Sequence, residues 1–492
     1  MILTQIPQKI TIKAKDQLDK RDSGSIPYWQ TYAVLFAGAL MVIFNQTAIK
    51  TALPTMIESL NVSPSIGQWT ISGYTLVKGI MVPITAFAMN KFRSRNLFIL
   101  MMILFGTGSL IAGSGIHFGF VMTGALLQGV GAGMIIPLMQ TILLTITPVE
   151  KRGSVLGLMG IVLGIGPTIG PVLGGFVVDA FSWHFIYYFL FIGSMIVIPF
   201  THFILADVLP LKDPTLDWKS IRYSLIGFGS LLYGLSVVGT EGLDSVAAWF
   251  MSLFGCLFIV LFIRRNLKLE EPMLDVSLFR NRFFAIAVMI SMLGLMVNSG
   301  ITNIMPMYVQ GVLGRSAMIS GLIVMPGGLL KAFLSPVSGR LYDRIGIAKL
   351  GVVGTFIMFL GTLSLLLVTM DTPIWTIIGM YLLVTLGFGL FNIAVTTAGM
   401  NVIPDEEMSH ATPARQTARQ VGSSFAITLV FAAMSVVSSF TASPQSFTAE
   451  TEGVQTAISI SGIRGGFFMV VVLAFASFIL SLIFKENPQS KD

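Results

Sequence analysis

The chain has 492 residues, of which 54% are hydrophobic and only 11% charged; its mean hydropathy is +0.84. A soluble domain carries about 25% charged residues, so this apolar surface belongs in lipid, with the backbone satisfied inside helices or a closed barrel. The apolar runs are about 20 residues long and do not alternate, which selects helices over barrel strands. A single cysteine, Cys256, excludes an intrachain disulfide framework. The four histidines are scattered without metal-ligand spacing. No Walker-type loop is present, which argues against ATP-driven transport by this chain. The net charge of +7 calls for no nucleic-acid partner, because in a membrane protein the placement of positive charge matters more than its sum. Neither enzymatic activity, nor a cofactor, nor a metal is expected.

Residues 1–27 are polar and rich in base, with no cleavable signal pattern, and are expected to form a cytoplasmic tail before an uncleaved first helix. Fourteen spans are expected, at 30–53, 69–90, 96–115, 118–146, 153–178, 184–205, 223–240, 246–263, 283–308, 317–338, 350–369, 373–396, 416–438 and 465–484. With the amino terminus inside, the inner segments carry the basic residues, from Lys91, Arg93 and Arg95 through Lys151 and Arg152 to Arg340, Arg344, Lys349 and Arg415. The outer loops carry only Arg315 and Arg464, with Glu58, Asp179, Glu241, Asp244, Asp371, Glu450 and Glu452. This bias places both termini in the cytoplasm.

The chain also repeats itself. PITAFAMNKF, Pro83 to Phe92, matches PVSGRLYDRI, Pro336 to Ile345, in residue type at most positions, so the second and tenth spans are equivalents in two halves. The expected organisation is a cytoplasmic tail at 1–27, a six-helix bundle at 28–205, two inserted helices at 206–268, a second six-helix bundle at 269–485 and a tail at 486–492. Bundles duplicated in this way place the substrate near the midplane, between the halves.

Three stretches carry the functional signal. GIVLGIGPTIGPVLGG, in the fifth span, has Gly160, Gly164, Gly166, Gly170, Gly174 and Gly175 to smooth helix faces, and Pro167 and Pro171 to remove backbone donors. GRLYDRIG places Gly339, Asp343, Arg344 and Gly346 where an acid near a helix terminus and neighbouring bases can latch one conformation. Its first-half copy offers Asn90, Lys91 and Arg95. GALLQGVGAGMIIPL, in the fourth span, contains Gln128, Gly129, Gly131 and Gly133.

The order of these stretches resembles the major facilitator superfamily, and the extra central pair of spans resembles its fourteen-helix drug:H⁺ antiporter branch. The first stretch is similar to the antiporter motif that helps the two halves seal on one side, the second to motif A of the inner loops, and the third to motif B. TPVEKRGSVLG, Thr147 to Gly157, looks like the family's usual lead into the fifth helix, and SHATPARQTARQVGSS, with Arg419 and Gln420, like the start of its penultimate helix. The resemblance implies an all-α membrane protein of the MFS fold: two six-helix bundles plus two central helices. It implies alternating-access efflux of amphipathic small molecules, protons as the coupling ion, a monomer in the lipid bilayer and a bacterial plasma membrane. The chain departs from the pattern where coupling residues belong. Asn45 stands at the first-helix acid, Lys50 at an asparagine, Ala125 at the motif B arginine, Asn90 at an aspartate and Arg93 at a glycine.

The expected core spans hold no Asp or Glu but three lysines, Lys50, Lys78 and Lys331. A lysine at the bilayer centre costs about 3 kcal/mol or more. Lys50, close to Pro54, and Lys331 either snorkel or face the cavity. Lys78, roughly 13 Å below Trp69, is too deep to snorkel easily and points to the cavity or a polar partner. Gln46 and Lys50 share a helix face. Asn45 and Tyr74 are either cavity groups or structural hydrogen-bonding groups. Lysines without acids favour an anion, and Lys78 is a candidate coupling group, charged when an anion binds and neutral when it leaves. The alternatives are a lipid or glycolipid translocase on the same fold and a membrane sensor that does not transport.

Overall fold

The computed structural model describes residues 28–209, 211, 217–241, 245–269, 272–315, 317–441 and 460–484. The two expected tails, 1–27 and 486–492, lie outside the described residues.

The described residues are helical throughout, with fourteen α-helices: α1 Tyr28–Ser59, α2 Pro64–Lys91, α3 Ser94–Ser114, α4 Phe118–Ile146, α5 Arg152–Ala180, α6 His184–Ile204, α7 Trp218–Glu241, α8 Val246–Asn266, α9 Arg282–Pro306, α10 Ala317–Ile345, α11 Ile347–Ser364, α12 Ile374–Asn401, α13 Met408–Thr441 and α14 Ile460–Ile483. Among the described residues, twelve helices are long and apolar enough to cross a membrane, and thirteen when α5 counts as one bent span. The bend of 40° in α5 separates Val149–Pro167 from Val172–Ala180, where Pro167 and Pro171 supply no N–H to the ladder. Residue for residue, α7 falls outside that set; its first turns carry Lys219 and Arg222.

Helix ends follow local chemistry. Ser63 caps α2 by accepting from the Ile66 N–H, and Pro64 occupies the first turn. Asn281 caps α9 by accepting from Phe283 and Phe284 N–H. Gly346, at φ 74°, ends α10. Three ends differ from the sequence expectation. Pro54 lies inside α1, which runs on to Ser59. α10 carries the whole GRLYDRI stretch on its last turns rather than in a loop, because nothing breaks the helix before Gly346. α13 begins at Met408, so Arg415 belongs to the helix and not to the loop before it.

The packing repeats after eight helices. α1 packs on α5 and α6, α2 on α4, and α3 on α4 and α6; likewise α9 packs on α13 and α14, α10 on α12, and α11 on α12 and α14. Each half has its own apolar core, one around Phe98, Phe105 and Ile135 and the other around Phe391, Phe467 and Ile301. The halves meet through α5 on α10 and through the equivalent pair, α13 on α2. α7 and α8 form an antiparallel pair outside this repeat, and α7 leans on both α2 and α13.

The α7–α8 pair is tied at the end that carries the basic loops. Asp217 accepts from Arg265 through both oxygens, at 2.5 and 2.7 Å, and caps α7 through the Ser220 N–H at 3.1 Å. The Arg265 guanidinium holds the Asp217 carboxyl well below the usual carboxylate range, against the smaller opposing effect of burial. A depressed carboxylate contributes stability that is fully present above its unfolded pKa of about 3.9 and is lost as pH falls through the folded value. Asp217→Ala is therefore expected to lower the thermal unfolding midpoint at pH 7, the lost cap alone costing about 1 kcal/mol. The gap from the parent should shrink as pH falls below about 4, and a gap independent of pH would overturn this account.

Candidate functional site

The seam between the halves starts from glycine. A Cβ at Gly339 of α10 would overlap the Gly153 carbonyl oxygen at the start of α5, and a Cβ at Gly157 would overlap the backbone of Pro336. Further along the same face, Gly160 lies against Ser335 and Gly164 against Ala332. Beyond Gly164 the glycines change partner: Gly166 lies on Ile43, Gly170 on Thr47 and Gly174 on Ala48, all of α1, while Gly175 makes an ordinary contact with Thr51. One helix thus presents two smooth faces. Its first half joins the opposite bundle, and its second half returns to its own. Pro167 is exposed between them.

The loop-side end of this seam is closed by charge. Asp343 accepts from the N–H of Ser154 at 3.0 Å and from its hydroxyl at 2.6 Å. A carboxylate from one half therefore caps the amino terminus of α5 in the other, where the helix dipole favours negative charge. Arg152, buried at the same terminus, pairs with Asp405 at 2.5 Å and donates to the Leu144 carbonyl at 3.0 Å. The equivalent crossing is bonded through Asn90. Asn90 meets the His410 ring at 2.8 Å and accepts from the Ser409 hydroxyl at 2.8 Å. Deeper in, Arg415 donates to Gln140 of α4 at 2.5 Å. Arg95 does not join this seam: it donates to the Leu205 carbonyl at 2.7 Å and its N–H bonds Asp207, tying α3 to the end of α6. Arg344 is exposed, next to Gly346 at the end of α10.

Within each bundle a lysine is held by an amide on the neighbouring helix. Lys78 on α2 donates to the Gln46 amide oxygen on α1 at 2.9 Å, so Gln46 serves Lys78 and not its own-helix neighbour Lys50. Lys331 on α10 donates to the Asn298 amide oxygen on α9 at 2.8 Å. Neither lysine has a carboxylate among its described partners, and each keeps ammonium donors beyond the one amide bond. Because α1 continues through Pro54, Lys50 stands about 13 Å from the end of its helix, deeper than Pro54 suggests. It is exposed along α1 and near enough to Lys78 to act on it electrostatically.

Behind Gln46 a small cavity of about 10 Å³, room for about one water, lies between α1, α2, α4 and α6. Asn45 donates to Gln128 at 3.4 Å, Gln128 donates to Ser109 at 2.7 Å, and Tyr74 reaches the Val42 carbonyl at 3.5 Å. Three buried polar atoms of its lining, Asn45 Oδ1, Thr70 Oγ1 and the Tyr187 hydroxyl, have no hydrogen-bond partner among the described residues. Leaving such groups unpaired costs about 1–3 kcal/mol each, which favours a polar guest. Thr70, Tyr187, Asn298 and the Arg152–Asp405 pair are not singled out by the sequence reading. Asn298 is signalled by a lone amide in an apolar run; the others are ordinary helix or loop residues until the helices are assembled.

Two like bundles of membrane-length helices joined along a glycine seam are the architecture of a multi-pass membrane transporter. The sequence profile of the Major Facilitator Superfamily matches residues 35–427, and the chain belongs to that superfamily, in the cell membrane. It is 36% identical over 456 residues to the uncharacterised MFS-type transporter YcnB of Bacillus subtilis strain 168, covering 93% of this chain and 94% of that one. The lincomycin resistance protein LmrB of the same organism is 30% identical, covering 89% and 94%. The probable multidrug resistance protein EmrY of Escherichia coli K12 is 28% identical, covering 82% and 80%. Among solved structures, the proton:xylose symporter XylE superposes with a TM-score of 0.65 at 13% identity, covering 93% of this chain and 95% of that one.

The Asp343 cap makes the seam testable. With Cys256→Ser and Ser335→Cys installed, adding Asp343→Ala is expected to raise maleimide labelling of the buried seam position about tenfold. Loss of bonds to a charged group costs about 1.5–3 kcal/mol each. Unchanged labelling would show that the seam does not depend on the cap.

Proposed function

We propose that the protein is a secondary exporter of amphipathic small molecules, drug-like compounds and organic anions among them, working by alternating access and coupled to protons. The observation that carries this reading is the seam along α5. Its glycines lie on α10 of the opposite bundle from Gly153 to Gly164 and on α1 of its own bundle from Gly166 to Gly174. Such an arrangement is one end-state of two bundles rocking about a central site. Relatives named for lincomycin and multidrug resistance support export as the direction and drug-like amphiphiles as the cargo.

In this reading all fourteen helices cross the membrane, the basic loops and both termini face the cytoplasm, and the monomer works alone. The bundles are 28–205 and 269–485, with 206–268 inserted between them. The described state is then closed to the cytoplasm and open outward. Gln46, Asn45, Tyr74, Gln128, Lys50, Lys78 and Lys331 supply the polar wall for the cargo. Lys78 couples the proton: it carries charge when an anion binds and gives up its proton when the anion leaves, which needs no carboxylate. Asp343, Gly339, Gly346, Arg344, Lys91 and Asn90 form the inner latch.

Inverted membrane vesicles test this. A pH gradient is expected to drive accumulation of lincomycin and of an anionic amphiphile, and a protonophore to abolish it. Lys78→Met should cut anion transport about tenfold or more, the value of one charge-assisted bond, and flatten its pH dependence. Transport by the variant at the parent rate and pH profile would overturn the coupling role. Absence of any gradient-driven solute movement would overturn the export reading.

A further inference from the structure

The first turns of α13 carry two arginines whose donors are not used up by the protein. Arg415 and Arg419 stand four residues apart in the SHATPARQTARQVGSS stretch, so they share one helix face, with about 6 Å between their Cβ atoms. They lie about 10 and 16 Å along the helix from Met408. Arg415 is buried. One of its terminal nitrogens donates to Gln140 of α4 at 2.5 Å and the other to Thr396 of α12 at 3.5 Å. Its Nε has no hydrogen-bond partner among the described residues, and neither has the Nε of Arg419. Arg419 is half-buried, so part of its side chain remains accessible. Among the described residues neither arginine is paired with a carboxylate, and the two are near enough to act on each other electrostatically.

The pair stands where the halves meet. Arg415 reaches across to Gln140 of the first bundle. Around the helix, Arg419 falls between Gln420 and Gly422. A Cβ on Gly79 of α2 would meet Gln420 at 3.6 Å, and one on Gly422 would overlap Met292 of α9. The Ser423 hydroxyl bonds that of Ser299, also on α9, at 2.7 Å. Helices of both bundles therefore flank the face that carries Arg419.

The chemistry differs from that of the lysines. A buried lysine can relieve its charge by giving up a proton, whereas a guanidinium cannot. Like charges one turn apart repel, and a buried charge without a partner is costly. Gln140 and Thr396 offer neutral oxygens to Arg415 alone. A planar guanidinium presents parallel N–H donors that match the two oxygens of a carboxylate or a phosphate.

We propose that Arg419, with Arg415 one turn nearer the loops, forms an oxyanion site between the halves, and that its ligand is the carboxylate or phosphate head group of an amphiphile. Neither residue belongs to the polar wall assigned above. The inference rests on the export reading for the route of such a ligand, and on the arginines for its chemistry. Arg415 supplies a second charge held in place by Gln140, and Arg419 supplies the open fork.

The test compares a charged and a neutral form of one probe. Dansylglycine, ionised at pH 7.5 through its carboxyl group, and its uncharged carboxamide are titrated by fluorescence into the full-length protein in a maltoside detergent, which has no anionic head group. The parent is expected to bind the carboxylate about tenfold or more tightly than the amide, the value of one charge-assisted contact. Arg419→Met and Arg419→Gln should each bring the carboxylate down to the level of the amide, and unchanged binding of the amide reports that the fold survives. Equal binding of the two probes by the parent overturns the site, as does a carboxylate preference that persists in either variant. Decanoate and phosphatidate, each added to the parent, distinguish a soluble anion from a lipid as the occupant, because the stronger competitor displaces dansylglycine at the lower concentration. Displacement by neither overturns the site. Lincomycin accumulation in inverted vesicles separates this claim from export. Accumulation without carboxylate preference overturns the site and leaves export standing. Carboxylate preference lost in both Arg419 variants, with no accumulation of any solute, supports the site and overturns export.

Discussion

The structure depends on backbone-to-backbone approach of two helices that belong to different halves. Where α5 crosses α10, Gly153 and Gly339 leave no room for a single methyl group, and Gly157 sits on the backbone of Pro336. In lipid there is little hydrophobic force between helices, so close van der Waals contact and polar bonds must hold them. Here the two act together: glycine brings α10 near enough for Asp343 to reach the amino terminus of α5. Moving either half breaks both at once. That makes the closed end a discrete state rather than one point on a continuum of tilts.

The second constraint is charge without its opposite. Lys78 and Lys331 are held by amide oxygens, while the carboxylates Asp343 and Asp405 sit at the loop-side end. Acids there tie the two halves together, and an amide holds a lysine without cancelling its charge. The buried Arg152 shows the difference in use, since it is spent on Asp405 and two carbonyls and has little left for a ligand.

Most of the helix pattern was legible because apolar runs of membrane length admit few alternatives. The repeat was legible from ten residues. The start of α13 was not, because His410, Thr412 and Arg415 lie before the span expected from 416 and read as a polar connector, yet they are buried within the helix. Pro54 misled for the opposite reason: it looks like a stop, but a proline within a long membrane helix is tolerated when neighbouring helices support the freed carbonyl. The site divides in the same way. Lysines stand out in an apolar sequence, but their partners depend on how helices rotate against one another. The Gln46–Lys78 bond joins residues 32 positions apart, and no spacing rule within a helix reveals it. Arg152 looked like one more inner-loop base, and its partner Asp405, 253 positions away, gave no signal in the sequence.

The inserted helices break the twofold symmetry that the rest of the molecule observes. α7 touches both halves, lying on α2 and on α13, while among the described residues no helix outside the bundles packs on both α5 and α10. Thr428 of α13 even donates to the Leu235 carbonyl of α7 at 3.5 Å. A strut fastened to both leaves of a book makes that side the spine. Separation of the bundles then has to widen away from α7, as a wedge and not as a parallel slot, so the fore-edge at α5 and α10 is where the interior first meets the surrounding lipid.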